Sequence, residues 1–136
     1  MKSVIYLILL TGFAFTEAKA QETSKIVMHL QTADTLVYKS LVNQITNMKK
    51  EIPDAQVAVV CHGPGMNFLL KTNSEYVNKI DKLKLKDVSF IGCQFTMKQK
   101  NIKPEDLVPF AQTVPYAMVD IVKKQQDGWI YVKLGF

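Results

Sequence analysis

The stretch Ile91-Gly92-Cys93-Gln94-Phe95-Thr96-Met97-Lys98-Gln99-Lys100-Asn101-Ile102 reads as a strand running into a helix. The apolar run from Val88 to Ile91 ends at Gly92, which has no Cβ and lets the backbone turn sharply. Cys93 therefore stands where a helix begins, and the free N–H groups of a helix start favour a thiolate over a thiol. Because the thiolate is the nucleophile, Cys93 is the first candidate for chemistry. The flanking lysines add little to it. Lys98 lies on another face of the helix, and Lys100 sits two turns away, roughly 10 Å at about 1.5 Å per residue.

Upstream of this junction, Ala55 to Cys61 (AQVAVVC) is a nearly continuous apolar run, the mark of a parallel strand covered on both faces. A tight loop, His62-Gly63-Pro64-Gly65, follows it, and a short helical piece is predicted over Met66 to Lys71. Lys25 to Gln31 reads as the first strand. Asp34 is placed to cap a helix on which Val37, Leu41, Ile45, Met48 and Ile52 recur at three- and four-residue steps. Downstream, Ser74 or Asn73 starts a helix reaching Leu83, and Asp87 to Gly92 is the third strand. Phe110 to Val114 is a brief fourth strand. Pro115 opens a helix to Gln126 that buries Ala117, Met118, Ile121 and Val122, and Trp129 to Leu134 closes the chain as a fifth strand.

Strands and helices thus alternate with short connections. The pattern predicts an α/β fold, a three-layer α/β/α sandwich around a mainly parallel five-stranded sheet of flavodoxin-like architecture. Ligands in such sheets gather at the carboxyl ends of the strands, where both Cys61-His62-Gly63 and Gly92-Cys93 lie.

The first twenty residues read differently. Lys2 gives a positive start, Val4 to Phe15 is apolar, and Ala18-Lys19-Ala20 is a small-x-small cleavage site. Residues 1–20 are therefore expected to be a cleaved secretory signal peptide, too short to anchor the chain stably in a membrane. Residues 21–136 form a single domain, expected in the periplasm or secreted.

The seventeen basic residues are all lysines, spread along a chain of formal net charge +5. Without arginine, the side chain suited to bidentate phosphate and base-edge recognition, nucleic acid is not an expected partner. No Cys-x-x-Cys or His-x-x-x-His pair exists, so no metal site is expected. The turn Gln31–Thr35 is only a faint phosphate-loop match, and no cofactor is expected. Two cysteines, Cys61 and Cys93, allow one bridge or two free thiols. His62 is placed to shuttle a proton beside a cysteine. His29, alternating within the first strand, reads as structural, and Trp129 and Tyr131 as core or interface residues.

The segments Val59-Val60-Cys61-His62-Gly63-Pro64-Gly65, Gly92-Cys93-Gln94-Phe95-Thr96-Met97-Lys98 and Gln126-Asp127-Gly128-Trp129-Ile130-Tyr131-Val132-Lys133, with Asn47 ahead of the second strand, resemble the DsrE/DsrF-like sulfur-relay proteins. The resemblance implies trimers or hexamers with sites near subunit contacts, and a cysteine that carries sulfane sulfur as a persulfide. Carried over residue by residue, Cys93 is that cysteine and His62 its companion in the site. Gly63, Gly65, Gly92, Gln94 and Cys61 are expected to bind the substrate around them. Small sulfur species or a sulfur-donor protein are the implied partners. Cys61 and the signal peptide depart from the family pattern. The competing reading is a non-catalytic module that binds a small ligand or a partner on the same fold, with inert or bridged cysteines.

Overall fold

The computed structural model describes residues 23–135, so the expected signal peptide lies outside the described residues. The apolar runs become the strands β1 (Lys25–Leu30), β2 (Gln56–Cys61) and β3 (Val88–Cys93), joined by short β4 (Gln112–Val114) and by β5 (Ile130–Leu134). All pairings are parallel, in the order β4-β3-β2-β1-β5. The predicted three-layer α/β sandwich is the observed architecture.

The helices are α1 (Thr35–Glu51), α2 (Glu75–Lys82), α3 (Gln94–Gln99) and α4 (Ala117–Gln126). From β1 to β4 each crossover steps toward one edge of the sheet, whereas the crossover from β4 to β5 returns across it. Right-handed crossovers of opposite direction put their helices on opposite faces. Aromatic packing agrees. Tyr38 of α1 meets Phe68 at 5.0 Å and Tyr76 of α2 at 5.9 Å between ring centroids, and Phe68 meets Phe90 of β3 at 6.1 Å. Helices α1 and α2 thus cover one face, and α4 covers the other.

The local signal holds at the start of α1. The Asp34 carboxylate accepts the Leu36 N–H at 2.8 Å and caps α1 as predicted. Helix α4 departs from its prediction: it begins at Ala117, because Tyr116 is extended, and it buries Ala117 and Ile121. Met118 and Val122 are each 50% exposed, since one residue further round the helix is about 100° from the buried line.

Strand alternation decides which residues meet. The register pairs Leu30 with Cys61 and Cys61 with Gly92, so these face α1 and α2. His29, Val60 and Ile91 are in register on the α4 face. Cys93, one residue beyond Gly92, also faces α4. The two cysteines lie on opposite faces of the sheet, and both are free thiols.

After Cys61 the chain enters a 3-10 stretch, Gly63–Leu69, that folds back under the end of β1. At Gly65 an added Cβ would lie 2.1 Å from the Leu30 carbonyl oxygen, so only glycine permits this approach. Gly128 has φ +83 but nothing within 4 Å of the same atom. Gly65→Ala should cost about 3 kcal/mol or more in urea unfolding. Gly128→Ala should cost about 1 kcal/mol, the left-handed penalty alone. Equal costs would show that the Leu30–Gly65 contact yields without strain.

Candidate functional site

Cys93 ends β3 and holds the position before the first turn of α3. Its sulfur is at the floor of a pocket of about 330 Å³ at the carboxyl ends of the strands. Gln31, His62 and Gly63 form one wall, Phe95, Thr96 and Gln99 a second, and Tyr116 to Met118 a third. None of these side chains carries a full charge at neutral pH except by titration of His62.

The sulfur's partners come from two helix starts. The Ala117 N–H at the head of α4 donates to Cys93 Sγ at 3.4 Å. Burial alone would push the Cys93 thiol up, because the residue is only 5% exposed. The Ala117 N–H, the Thr96 N–H and hydroxyl, and the Phe95 N–H outweigh that penalty and bring it below the ordinary thiol value. Thr96 is itself buried, and its oxygen accepts the Gly63 N–H at 3.1 Å. The same hydroxyl that accepts from the His62 loop also helps to lower the Cys93 thiol.

The other cysteine has the opposite environment. Cys61 is wholly buried on the α1 face, and desolvation without compensating donors raises its thiol pKa. His62 lies beyond Cys61 on the Cys93 face, and burial lowers its pKa, so it is neutral at pH 7. His29 sits diagonally across from it on β1, with the two ring centroids 4.8 Å apart. Burial first, then the charges of His62 and Lys133, lowers the His29 pKa as well. Its Nδ1 lies 2.8 Å from the Tyr131 hydroxyl on β5.

The residues expected to form the site are divided by the fold. Cys93, His62 and Gly63 meet in the pocket. Gln94 stands just outside, donating its amide to the Thr113 hydroxyl at 2.9 Å and lining a neighbouring hollow with Phe95 and Lys98. Gly65 packs beneath the Leu30 carbonyl, and Gly92 faces Met66 and Leu69 on the α1 side, as does Cys61. Thr96 and Ala117, which sequence reasoning passed over, supply the donors to the sulfur. Thr96 had one legible signal, a hydroxyl three residues after a residue that opens a helix. Ala117 had none, since its role is played by its backbone. Among the described residues, no three His, Cys, Asp or Glu side chains stand close enough to hold a metal ion.

The DsrE/DsrF-like family model matches residues 5–134, nearly the whole chain. The chain belongs to the DsrE/DsrF-like family. The site described above, on strand ends of a parallel sheet, is therefore a site on a DsrE-like fold. A solved structure of a protein of unknown function from Methanobacterium thermoautotrophicum is similar, with a TM-score of 0.75 and 24% sequence identity. The match covers 81% of this chain and 98% of that one, which supports the fold. No curated protein matches the chain. No helix among the described residues is long and apolar enough to cross a membrane.

The lowered Cys93 pKa has a direct test. Its alkylation rate should rise with pH to a plateau whose midpoint lies below the ordinary thiol value of 9.0. Thr96→Val removes the hydroxyl at nearly constant shape and should move that midpoint up by about one pH unit. Cys61 should stay unlabelled until the protein unfolds. An unmoved midpoint would remove Thr96 from the account.

Proposed function

We propose that this DsrE-like protein is an exported carrier that binds or relays sulfane sulfur as a persulfide on Cys93. The observation that carries the reading is a buried sulfur that accepts the Ala117 N–H at the head of α4 and opens on a pocket shared with His62. Donors that stabilise the thiolate raise the fraction of reactive nucleophile near neutral pH. They also stabilise the same sulfur when it leaves as a thiolate.

Both steps are exchange reactions of the thiol–disulfide type. The Cys93 thiolate attacks the outer sulfur of a persulfide RS–SH, forming a new S–S bond and releasing RS⁻ with the bonding electron pair. The product is Cys93–S–SH. A second thiolate R′S⁻ then attacks the outer sulfur, yielding R′S–SH and regenerating the Cys93 thiolate. No external oxidant or reductant is consumed. In this scheme the neutral His62 imidazole donates a hydrogen bond to the departing thiolate, which takes its proton from solvent, and Gly63 and Gln94 border the path by which the sulfur arrives. A small sulfur species or the persulfide of a donor protein serves as RS–SH.

The assembly we propose is a homo-oligomer, a trimer or hexamer. Its support is a rim of half-exposed apolar side chains beside the pocket: Phe95, Tyr116, Met118, Val119 and Val122. Contact between copies along α4 would remove that surface from water. The support for export is the positive start, apolar run and small-x-small site of residues 1–20, and the carrier would then work in the periplasm or outside the cell.

Two measurements decide. Polysulfide treatment should add about one sulfur to the intact mass of the wild-type protein and none to Cys93→Ala. Equal uptake by Cys93→Ala would end the carrier reading and favour a ligand-binding pocket. Protein recovered from the export compartment should begin near Gln21 and run as a trimer or hexamer in native mass spectrometry, with Val119→Glu shifting it to monomer. A retained N-terminus or a wild-type monomer would overturn the corresponding half.

A further inference from the structure

The α4 face of the sheet carries a row of ring groups that the cysteine chemistry leaves unused. Tyr131 on β5 is 37% exposed, and its hydroxyl lies 2.8 Å from Nδ1 of His29 on β1. His29 is 4% exposed, and His62 on the pocket wall is its neighbour at 4.8 Å between ring centroids. Beyond His62 is Cys93. Tyr131, His29, His62 and Cys93 thus span the ends of four adjacent strands on one face.

One atom in this row is anomalous. His29 Nε2 is buried and, among the described residues, has no hydrogen-bond partner. A buried polar group without a partner is uncommon and costs stability. The tautomer follows from the other nitrogen. A phenol is a stronger hydrogen-bond acid than a neutral imidazole, and an imidazole nitrogen is a strong acceptor. Tyr131 therefore donates to Nδ1, which leaves the His29 proton on Nε2. That N–H is the orphan, and the polar ring beside it is His62, which already lines the pocket.

We propose that His29 is a positioning residue for His62. Its Nε2–H takes one nitrogen of His62 as acceptor once that ring turns toward it. The remaining nitrogen of His62 must then carry the proton, and it is the one left to face the pocket. The Tyr131–His29 pair thereby fixes His62 as a donor on the Cys93 side. Lys133, directly across from His29 on β5, disfavours a second proton on His29, so the pair works through neutral rings. The effect on sulfur exchange rests on the carrier reading above; the tautomer does not.

The chain has only two histidines, so long-range ¹H–¹⁵N NMR of the mature protein assigns both rings without ambiguity. At a pH of about 7.5, wild type should show His29 protonated on Nε2 and His62 in a single tautomer. Tyr131→Phe, at a half-exposed edge-strand position, should turn His29 into a mixture. His29→Phe should do the same to His62, and His29→Gln, whose amide N–H can donate in its place, should restore one tautomer. In parallel, release of the outer sulfur from persulfidated Cys93 to a small thiol should slow about tenfold in His29→Phe and recover in His29→Gln. A His29 proton on Nδ1, or a His62 tautomer indifferent to both His29 substitutions, would overturn the proposal. Failure of Cys93 to take up sulfur in every variant would instead overturn the carrier reading, with the NMR result standing apart from it.

Discussion

The pairing of Cys61 with Gly92 across β2 and β3 is the constraint from which the site follows. Side chains alternate between faces with a period of two, so a register fixed at one residue fixes every neighbour. With Cys61 and Gly92 turned toward α1 and α2, His62 and Cys93 must turn toward α4. A slip of one residue would bring Cys61 to the face of Cys93 and send His62 away from it. What distinguishes the two registers is the strand end, where wholly buried Cys61 packs on the α1 side and the more polar His62 lines the pocket.

The same register gives two cysteines opposite chemistry. Both are buried, and burial opposes ionisation at each. Cys61 finds only packing around it. Cys93 finds donors from two helix starts, because α3 begins immediately after it and α4 begins directly above it. The favourable contribution comes from fixed backbone dipoles rather than from a cation. This matters for His62, which burial keeps neutral and which therefore cannot act as the charged partner of a thiolate–imidazolium pair. Stabilisation of the thiolate therefore comes from the backbone, and in the proposed scheme the neutral imidazole contributes a hydrogen bond rather than a charge.

Most of the fold was legible because its signals are local. Mostly apolar runs with β-branched residues marked β2 and β3, the 3.6-residue spacing marked α1, and Asp34 marked its start. The wrong portion of α4 was also a local matter. Met118 and Val122 are as apolar as Ile121, so hydropathy alone widened the buried stripe to include surface that faces outward. The site was half legible. Cys93 and His62 were visible from their places after strands, a rule of topology. Gly65 was expected to bind substrate, whereas its place is set by the Leu30 carbonyl 2.1 Å from where a Cβ would stand, which only three-dimensional structure reveals. Ala117 meets the sulfur from 24 residues away in sequence, and the tie from Thr96 to Gly63 spans 33, both beyond the reach of any spacing rule. His29 gave the pattern of an ordinary inward strand residue, since the partner that makes it unusual lies 102 residues downstream.

Exposure sets how such a sulfur can be approached. Cys93 is 5% exposed, and the Phe95 and Tyr116 rings that line the same pocket lie 5.9 Å apart and are both half exposed. Transfer between sulfurs needs an attacking thiolate nearly in line with the bond being broken. In the proposed carrier role, recessing the sulfur would select acceptors with a slender, protruding thiol over broad surfaces. The recess also lowers the local dielectric, which strengthens each N–H contact to the sulfur relative to water. Depth and reactivity are coupled: a shallower cysteine would be easier to reach, but its backbone donors would compete with solvent and its thiolate would gain less from them. The fold resolves this by placing the sulfur at the last residue of a strand, deep enough to be held by two helix starts and no deeper.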